Sequence, residues 1–398
     1  MRRTGPDACV LAGAAFQSGG MERLTWEVHD ALARTLGTDQ VLMASLVGPV
    51  DPRDERASTL AYMGGYPLSL RSKIGFAMWV IRRSWRWRSS SLLVCMLVNQ
   101  SQVAWAARAT GGSRYVVWAH GDEVWSHMEA LPRLALRRAD LVLCSSEFTR
   151  RQVVRRHGVE PEKARTVYPP VSEAFLRRAS RVTRSPGKAP PVILSIGRVS
   201  RGYEYKGFDQ VIRTLPRLAE RVPDVRYVVL GGGDALPDLA RLAAEVGVAD
   251  RVELRGALSD EELWEALEGA RVFALLSRMD TAGPSLAGEG FGIVYAEAAA
   301  FGRPVVGSTM GGAPEVVVSG TTGLTVDPTD PEAIARALLT YLQDPERADR
   351  DGAAGRGRVL ELLTPERFAT NLVAPLREAG LLSQAPGDGG GADLNECR

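Results

Sequence analysis

The alternation of short apolar runs with amphipathic segments constrains the fold of this chain more than any other feature of its sequence. Runs such as 8–15, 141–144 and 192–196 are almost continuously apolar, and amphipathic segments lie between such runs. Strands of this kind, separated by helices, form parallel sheets that are covered on both faces. Because two such series follow each other in 398 residues, we predict two doubly wound α/β domains.

A polar, proline-containing stretch marks the expected boundary between these domains. The segment 181–191 combines basic residues with Pro and Gly, which is typical of a linker. We therefore predict an N-terminal domain over residues 1–180 and a C-terminal domain over 192–364. A last helix is expected over 365–382, and the tail 383–398 contains too few apolar residues to fold.

Composition and charge exclude several classes of protein. The chain has 49 basic and 47 acidic residues, so it lacks the charge excess of a strongly basic nucleic-acid-binding protein. No apolar run approaches the roughly 20 residues of a membrane span. The basic and apolar N-terminus is interpreted as a first strand rather than a signal peptide, so we expect a cytoplasmic protein. The four cysteines form no CxxC pair, which favours free buried thiols over a zinc site or disulfides.

Two loops of the N-terminal domain contain residues suited to ligand binding. Gly19 and Gly20 follow the first predicted strand and precede a helix, where backbone amides can approach an anion. The spacing is not GxGxxG, so the dinucleotide fingerprint is absent, and a tight turn explains the glycines as well. His120 follows another predicted strand beside Gly121, where a histidine either reaches the cleft or has a packing role.

Two cations lie in a glycine-punctuated loop of the C-terminal domain. Arg198 follows the first strand of that domain, and Lys206 precedes a helix. Only four of the 49 basic residues are lysine, so a lysine in such a loop is unusual for this chain. Charge-assisted hydrogen bonds from two cations suit a diphosphate, although the loop is not a Walker loop. A solvated charged loop is the alternative interpretation.

The segment GEGFGIVYAEAAAFGRPVV, residues 288–306, places two glutamates eight positions apart. Glu289 lies in a loop, and the glycines that follow it leave backbone amides free at the start of a helix, which favours an anion. Glu297 lies one to two turns into that helix. At about 100° per residue the two carboxylates point in different directions, so we expect them to contact different parts of one elongated ligand.

Together these segments resemble glycosyltransferase family 4, the retaining nucleotide-sugar transferases of the GT-B architecture. The resemblance is carried, in order, by QSGGMERL, AHGDE, SIGRVSRGYEYKGFD, GEGFGIVYAEAAAFGRPVV and GGAPEVVVSGTTGLTVDP. It implies two Rossmann-like domains that face a cleft, with the last helix crossing back to the N-terminal domain. The loop 278–288 before Glu289 is longer than is usual in the family, which could shape the acceptor site or shift Glu289.

The resemblance also implies a role for each candidate residue. Arg198 and Lys206 would bind the donor diphosphate, and Glu297 would bind the ribose. Glu289 would contact the donor sugar near its anomeric carbon, and His120 would line the sugar site as the second catalytic residue. The backbone positions that would assist at the phosphates are Gly19, Gly20, Gly290, Phe291, Gly292, Ile293 and Val294.

The expected reaction is transfer of a hexosyl unit from a UDP- or GDP-hexose to a hydroxyl of a saccharide, a lipid-linked saccharide or a small-molecule aglycone. We expect no metal or other cofactor, because the one DxD motif, at 349–351, lies in a polar segment far from the strand-end loops. A sugar epimerase or phosphorylase on the same architecture, or a non-catalytic scaffold, are the alternatives. The segment 71–90 mixes Trp with Arg, which is typical of a helix at a membrane surface and also of a partly buried helix.

Overall fold

Two parallel sheets organise the molecule. The computed structural model describes residues 5–16, 19–48, 60–65, 67–87, 91–182, 191–279 and 286–383. The strands of the N-terminal domain are β1 (Ala8–Ala12), β2 (Val41–Ser45), β3 (Tyr62–Met63), β4 (Leu92–Cys95), β5 (Arg114–Ala119), β6 (Leu141–Cys144) and β7 (Ala164–Thr166). Those of the C-terminal domain are β8 (Val192–Ile196), β9 (Arg226–Leu230), β10 (Val252–Leu254), β11 (Val272–Leu275), β12 (Val305–Ser308) and β13 (Gly323–Val326).

Helices cover both faces of each sheet. In the first half of the chain they are α1 (Gly20–Leu36), α2 (Leu70–Trp87), α3 (Ser101–Gly111), α4 (Asp122–Trp125), α5 (Ala130–Arg137), α6 (Glu147–His157) and α7 (Glu173–Ala179). In the second half they are α8 (Phe208–Arg221), α9 (Leu236–Glu245), α10 (Asp260–Gly269), α11 (Ile293–Ala300), α12 (Ala313–Val316), α13 (Pro331–Gln343), α14 (Pro345–Leu362) and α15 (Pro365–Glu378).

The strand orders place a topological switch point in each sheet. The first sheet has the order β3-β2-β1-β4-β5-β6-β7 and the second β10-β9-β8-β11-β12-β13, and the paired strands are parallel. The direction of winding reverses between β1 and β4 and again between β8 and β11. Ligands of open parallel sheets bind beyond the carboxyl ends of the strands at such points. The candidate residues lie at this end of the sheets, in the loops after β1, β5, β8 and β11 and in α11.

Each sheet is the centre of a hydrophobic core, and one helix crosses between the domains. The side chains of Phe368, Leu372 and Leu376 on α15 are buried in the core of the N-terminal domain, where α15 packs against α1. Phe175 and Ala179 on α7 are buried in the core of the C-terminal domain, although they precede residue 180. The last helix thus ties the end of the chain back to the first domain.

The predicted α/β architecture of two Rossmann-like domains is confirmed, with local differences in the elements. Strand β3 is absent from the sequence prediction because its two residues are too short for a recognisable alternation. The sequence pattern predicts a strand over 166–168, whereas β7 ends at Thr166. The predicted linker 181–191 and tail 383–398 fall largely on residues outside the described part of the chain, so the domain boundaries stay predictions.

Candidate active site

The loops that contain the candidate residues meet where the two domains touch. Gly290 packs directly on the other domain, because a Cβ atom there would lie 2.3 Å from the His120 carbonyl oxygen. Gly20 also faces the start of α11, with its Cβ position in ordinary van der Waals contact, 3.5 Å from Ile293 Cγ2. Only glycine permits so close an approach of backbone to backbone at Gly290. The carboxyl ends of both sheets are therefore brought together around α11.

Lys206 and Glu289 form an ion pair at this junction. Lys206 Nζ lies 2.8 Å from Glu289 Oε2, and both side chains are largely buried, with 14% and 13% of their surface exposed. The buried Ser277 hydroxyl also donates to Glu289 Oε2, at 3.3 Å. Lys206 Nζ lies 5.5 Å from the centroid of the Tyr205 ring as well. The lysine predicted to bind the donor phosphate and the carboxylate predicted to contact the donor sugar are thus in direct contact.

Arg278 holds the lysine loop in position. Its backbone N–H donates to the Tyr205 carbonyl at 2.6 Å, and its guanidinium donates to the Glu204 carbonyl at 2.8 Å. The same guanidinium is paired with Asp209 at 3.3 Å. These contacts hold the backbone immediately before Lys206 and the side chain of Asp209 shortly after it, so the lysine loop is fixed in position.

Arg198 is exposed and folded onto its own loop. The guanidinium stacks 5.1 Å above the Tyr203 ring and donates to the Tyr203 hydroxyl at 3.0 Å. The structure places it at the carboxyl end of β8, as predicted, without pairing it with Glu289. An exposed arginine of this kind can swing toward a diphosphate without leaving an unpaired buried charge.

The residue before helix α11 adopts a backbone conformation that favours glycine. Gly292 caps the helix with φ at 83°, in the left-handed region, and the helix follows from Ile293. The first amides of a helix have no partner inside it and attract anions. The predicted anion positions Gly290, Phe291, Gly292, Ile293 and Val294 therefore lie at a helix N-terminus, close to Lys206 and Glu289.

Glu297 lies deeper in α11 and is almost fully buried. Its carboxylate is 4% exposed, and Oε1 lies 3.0 Å from Nη2 of Arg23, which extends from α1 of the other domain. Oε2 is buried and makes no hydrogen bond within the described residues. Burial raises the pKa of Glu297 above its usual value, and the Arg23 charge opposes that shift. Oε2 is therefore a buried acceptor whose hydrogen-bonding capacity is unused among the described residues.

His120 lies at the end of β5 with both ring nitrogens facing its own domain. Nε2 lies 2.7 Å from the Met96 carbonyl oxygen, which requires that nitrogen to donate, and Nδ1 lies 3.5 Å from the Ser145 hydroxyl. The ring stacks on Trp118. Burial lowers the pKa of His120, so the neutral ring is favoured. Its backbone contacts Gly290, but its predicted part in catalysis stays a prediction.

Both halves of the chain match families of sugar-transferring enzymes. Residues 18–175 match "Glycosyltransferase Family 4", and residues 177–358 match "Glycosyl transferases group 1". A GDP-mannose-dependent alpha-(1-6)-phosphatidylinositol monomannoside mannosyltransferase of Mycolicibacterium smegmatis is 40% identical over 266 residues, which is 64% of this chain and 68% of the relative. The chain belongs to glycosyltransferase family 4. It is a hexosyltransferase that uses nucleotide sugars.

Further relatives and solved structures agree with this family. The enzyme of the same name from Mycobacterium tuberculosis is 36% identical over 68% of this transferase and 71% of its own length. The Anabaena protein HepE, solved with UDP and glucose, superposes with a TM-score of 0.73 at 18% identity, covering 94% of this chain and 99% of that one. A glycosyltransferase from Rickettsia africae superposes with a TM-score of 0.76 at 17% identity, covering 95% and 100%. These structures support the GT-B fold.

Two further residues of this glycosyltransferase join the domains, and the sequence did not assign them a role. Glu315, after β12, accepts hydrogen bonds from the backbone N–H groups of Glu147 and Phe148 at 2.7 and 2.8 Å. These are the first amides of α6, so a carboxylate of one domain caps a helix of the other. Arg23 is the second such residue. Each partner is more than 160 positions away in sequence, so spacing alone carries no signal for them.

The transferase has no evident metal site in its described part. Within those residues, no group of three or more His, Cys, Asp or Glu side chains is placed to hold a metal ion. Asp351, of the DxD motif, is buried and accepts a hydrogen bond from the Tyr341 hydroxyl at 2.9 Å. This aspartate therefore stabilises the packing of α13 on α14. Part of the loop 278–288, residues 280–285, lies outside the described residues.

Proposed function

We propose that this protein is a retaining, metal-independent mannosyltransferase that moves a mannosyl unit from GDP-mannose to a hydroxyl of a glycolipid. The observation that carries the proposal is the arrangement along the start of α11. Lys206 and Glu289 lie at one end, and a buried carboxylate oxygen of Glu297 without a partner lies further along the helix. This arrangement suits a sugar, a diphosphate and a ribose in that order.

In the proposed reaction, negative charge develops on the leaving β-phosphate, where the chain supplies cations. The bond between the sugar C1 and the β-phosphate oxygen breaks, and the acceptor hydroxyl adds to C1 on the same face. The leaving phosphate oxygen takes the hydroxyl proton, so no strong general base is required. Lys206, Arg198 and the first amides of α11 stabilise the charge that builds on the β-phosphate. Glu289 orients Lys206 and contacts the donor sugar.

The donor and the acceptor are proposed from relatives. Four relatives at 32–40% identity are named as GDP-mannose-dependent mannosyltransferases that act on phosphatidylinositol monomannosides. We infer GDP-mannose as the donor and a glycolipid with a polyol or mannoside head group as the acceptor.

Nucleotide release tests this proposal. GDP or UDP would be measured from GDP-mannose, GDP-glucose and UDP-glucose, with and without phosphatidylinositol mannoside, and in the presence of EDTA. We expect acceptor-dependent GDP release from GDP-mannose that EDTA does not reduce, and an α-configured product by NMR. Release from no donor with a broad acceptor panel contradicts the transferase function, whereas release only with UDP-glucose contradicts the donor.

A glycolipid acceptor requires contact with a membrane surface, and α2 has side chains that suit such a contact. No helix among the described residues is long and apolar enough to cross a membrane. Instead, α2 exposes apolar side chains on the side opposite its buried residues, at Leu70, Ile74, Met78 and Trp85. The basic residues of the helix are also exposed, and the sequence contains no acidic residue between Glu55 and Asp122. These features suit binding to the surface of an anionic membrane.

Vesicle co-sedimentation tests the membrane contact separately from activity. The double variant Ile74→Gln/Met78→Gln should bind phosphatidylglycerol vesicles less well than the wild type, and high salt should weaken both. Leu360→Gln, on α14, is the matched control because Leu360 is similarly exposed, at 52%. Equal binding of the double variant and the wild type would contradict a role for α2 at the membrane.

A further inference from the structure

The ion pair between Arg23 and Glu297 is the starting point, because it joins the proposed ribose carboxylate to the other domain. Arg23 lies in the first turn of α1, and its side chain is 41% exposed, whereas Glu297 is 4% exposed. The Arg23 guanidinium also lies 5.6 Å above the Phe175 ring. A charge from the N-terminal domain therefore reaches into the nucleoside end of the C-terminal site.

Glu297 depends on that charge. A buried carboxylate without a cation tends to take up a proton, because desolvation disfavours its charged form. Asp260, at the start of α10, adds to the effect of burial, and Arg23 is the cation that opposes it. Of the other charges on elements packed against α11, Arg178 pairs with Glu261 and Glu268, Glu315 accepts from the α6 amides, and Arg358 donates to the Glu315 carbonyl.

The two oxygens of the Glu297 carboxylate are used differently. Oε1 is held by Arg23, and Oε2 is buried without a partner in the described residues. An ionised carboxylate accepts hydrogen bonds at both oxygens, whereas a protonated one must donate from one of them. A ribose diol offers hydroxyl donors, so it binds the ionised form with charge-assisted hydrogen bonds.

We propose that Arg23 is a positioning residue for the donor: it keeps Glu297 ionised and oriented, so that Oε2 accepts from the ribose. Because Arg23 belongs to the N-terminal domain, the ribose site is complete only when the two domains are closed on each other. The inference rests on the proposed function, in which Glu297 binds the ribose. It goes beyond that function by making nucleotide binding depend on a residue of the acceptor domain.

Two other roles for Arg23 predict different results. If Arg23 blocked the ribose site, its removal would tighten binding of GDP. If it served only as a structural clamp between the domains, its removal would change stability or turnover without changing how the ribose is recognised. Recognition of the ribose therefore has to be measured by itself.

The test compares GDP with 2′,3′-dideoxy-GDP by calorimetry on the full-length wild type, Arg23→Gln, Arg23→Lys and Glu297→Gln. Arg34→Gln is the matched control, because Arg34 is an exposed arginine in the last turn of the same helix. The wild type and Arg34→Gln should prefer GDP by about tenfold or more, as expected for charge-assisted hydrogen bonds. Arg23→Gln and Glu297→Gln should each lose most of that preference, and Arg23→Lys should retain part of it.

The pH profile provides a second readout that a structural role would not change. For donor kcat/KM, the loss of activity at acidic pH should move to higher pH in Arg23→Gln, because the pKa of Glu297 rises further without its cation. The double variant Arg23→Gln/Glu297→Gln should bind GDP no more weakly than Glu297→Gln alone.

Several results would overturn the inference. They are an unchanged preference for GDP in Arg23→Gln, tighter binding of GDP by that variant, an unmoved acidic limb, and additive effects in the double variant. Failure of the proposed function gives a different pattern, because the wild type itself would then bind neither GDP nor UDP. Arg23→Lys retains the charge, so it distinguishes loss of the charge from failure to fold. Melting curves of all variants verify that each is folded.

Discussion

Glu289 and Glu297 are separated by eight positions, yet their surroundings differ in kind. Glu289 is satisfied within its own domain, by Lys206 at 2.8 Å and Ser277 at 3.3 Å. Glu297 is more deeply buried, has its one ion pair with Arg23 of the other domain, and keeps one oxygen without a partner in the described structure. The reacting end of the proposed donor site is thus assembled by one domain, and the nucleoside end by two.

This difference assigns two tasks of the proposed mechanism, stabilising the transition state and binding the nucleotide, to different residues. The Lys206–Glu289 pair is preorganised by the Arg278 contacts, so it can stabilise charge in the transition state without rearranging. In our proposal the ribose site around Glu297 is completed by domain closure, so nucleotide binding at Glu297 would report whether the domains are closed. Substitutions at the first pair should therefore lower kcat, and those at Glu297 should raise the donor KM.

The largest effect is expected for Lys206→Ala. Loss of one preorganised donor to a developing oxyanion lowers kcat by about 10²–10³-fold in other enzymes, and we expect a similar loss here. Steady-state kinetics with GDP-mannose measure it. Lys163→Ala is the matched control, because Lys163 pairs with the exposed Glu160 outside the site and should leave kcat unchanged. A kcat for Lys206→Ala within a few-fold of the wild type would remove Lys206 from the leaving-group site.

A smaller effect, on the donor KM and not on kcat, is expected for Glu297→Gln. Charge-assisted hydrogen bonds contribute roughly 1.5–3 kcal/mol, so the donor KM should rise by about 10- to 100-fold while kcat changes little. The acceptor KM should stay the same. Glu245→Gln, at the exposed end of α9, serves as the control. If Glu297→Gln lowered kcat instead, the division between a reacting end and a nucleoside end would be wrong.

Substitution of the two glutamates should also change the free energy of unfolding in opposite directions. Glu289→Gln leaves the largely buried Lys206 without its partner and should lower the free energy of unfolding by about 1–3 kcal/mol. Glu297→Gln should raise it slightly at neutral pH, because burial raises the pKa of Glu297 in the folded state. The protonated form favours folding, and this contribution is lost as the pH rises through the folded pKa.

Denaturant unfolding of the ligand-free protein at several pH values measures this contrast. The difference between Glu297→Gln and the wild type should grow as the pH rises above the ordinary glutamate pKa of about 4.5. A difference that shrinks over that range would show that Arg23 stabilises the ionised carboxylate more than burial destabilises it.

The smallest effect is expected at the second contact between the domains. Glu315→Ala removes the acceptor of the Glu147 and Phe148 amides, and loss of a helix cap costs roughly 1 kcal/mol. Amide hydrogen exchange at the start of α6 should accelerate by about fivefold, without a change at α3. Unchanged exchange would mean that water replaces the carboxylate as the acceptor of these amides.

Much of the fold could be predicted from local patterns, because buried parallel strands and amphipathic helices have distinct periodicities. The bounds of β6 and β8 agree residue for residue with the apolar runs 141–144 and 192–196. Strand β3 could not be predicted, because its two residues derive their strand conformation from pairing with β2. The pattern also gave no indication that α7, before residue 180, packs in the second core.

The candidate site was predictable where it depends on loops after strands and not where it depends on pairing across the cleft. Lys206, Glu289 and Glu297 stand out by residue type and by position at strand ends or in the following helix. Their partners do not, since the contacts of Arg23 with Glu297 and of Glu315 with α6 join residues that are distant in sequence. That Glu297 is buried with one oxygen paired and the other unpaired in the described residues can be seen only in the folded structure.

A crystal structure of the protein with GDP-mannose tests the central claim most directly. We predict the diphosphate at the start of α11 with a phosphate oxygen about 3 Å from Lys206 Nζ, and a ribose hydroxyl at a similar distance from Glu297 Oε2. Arg23 should remain paired with Oε1. A nucleotide bound elsewhere, or one whose phosphates do not reach Lys206 or whose ribose does not touch Glu297, would contradict it.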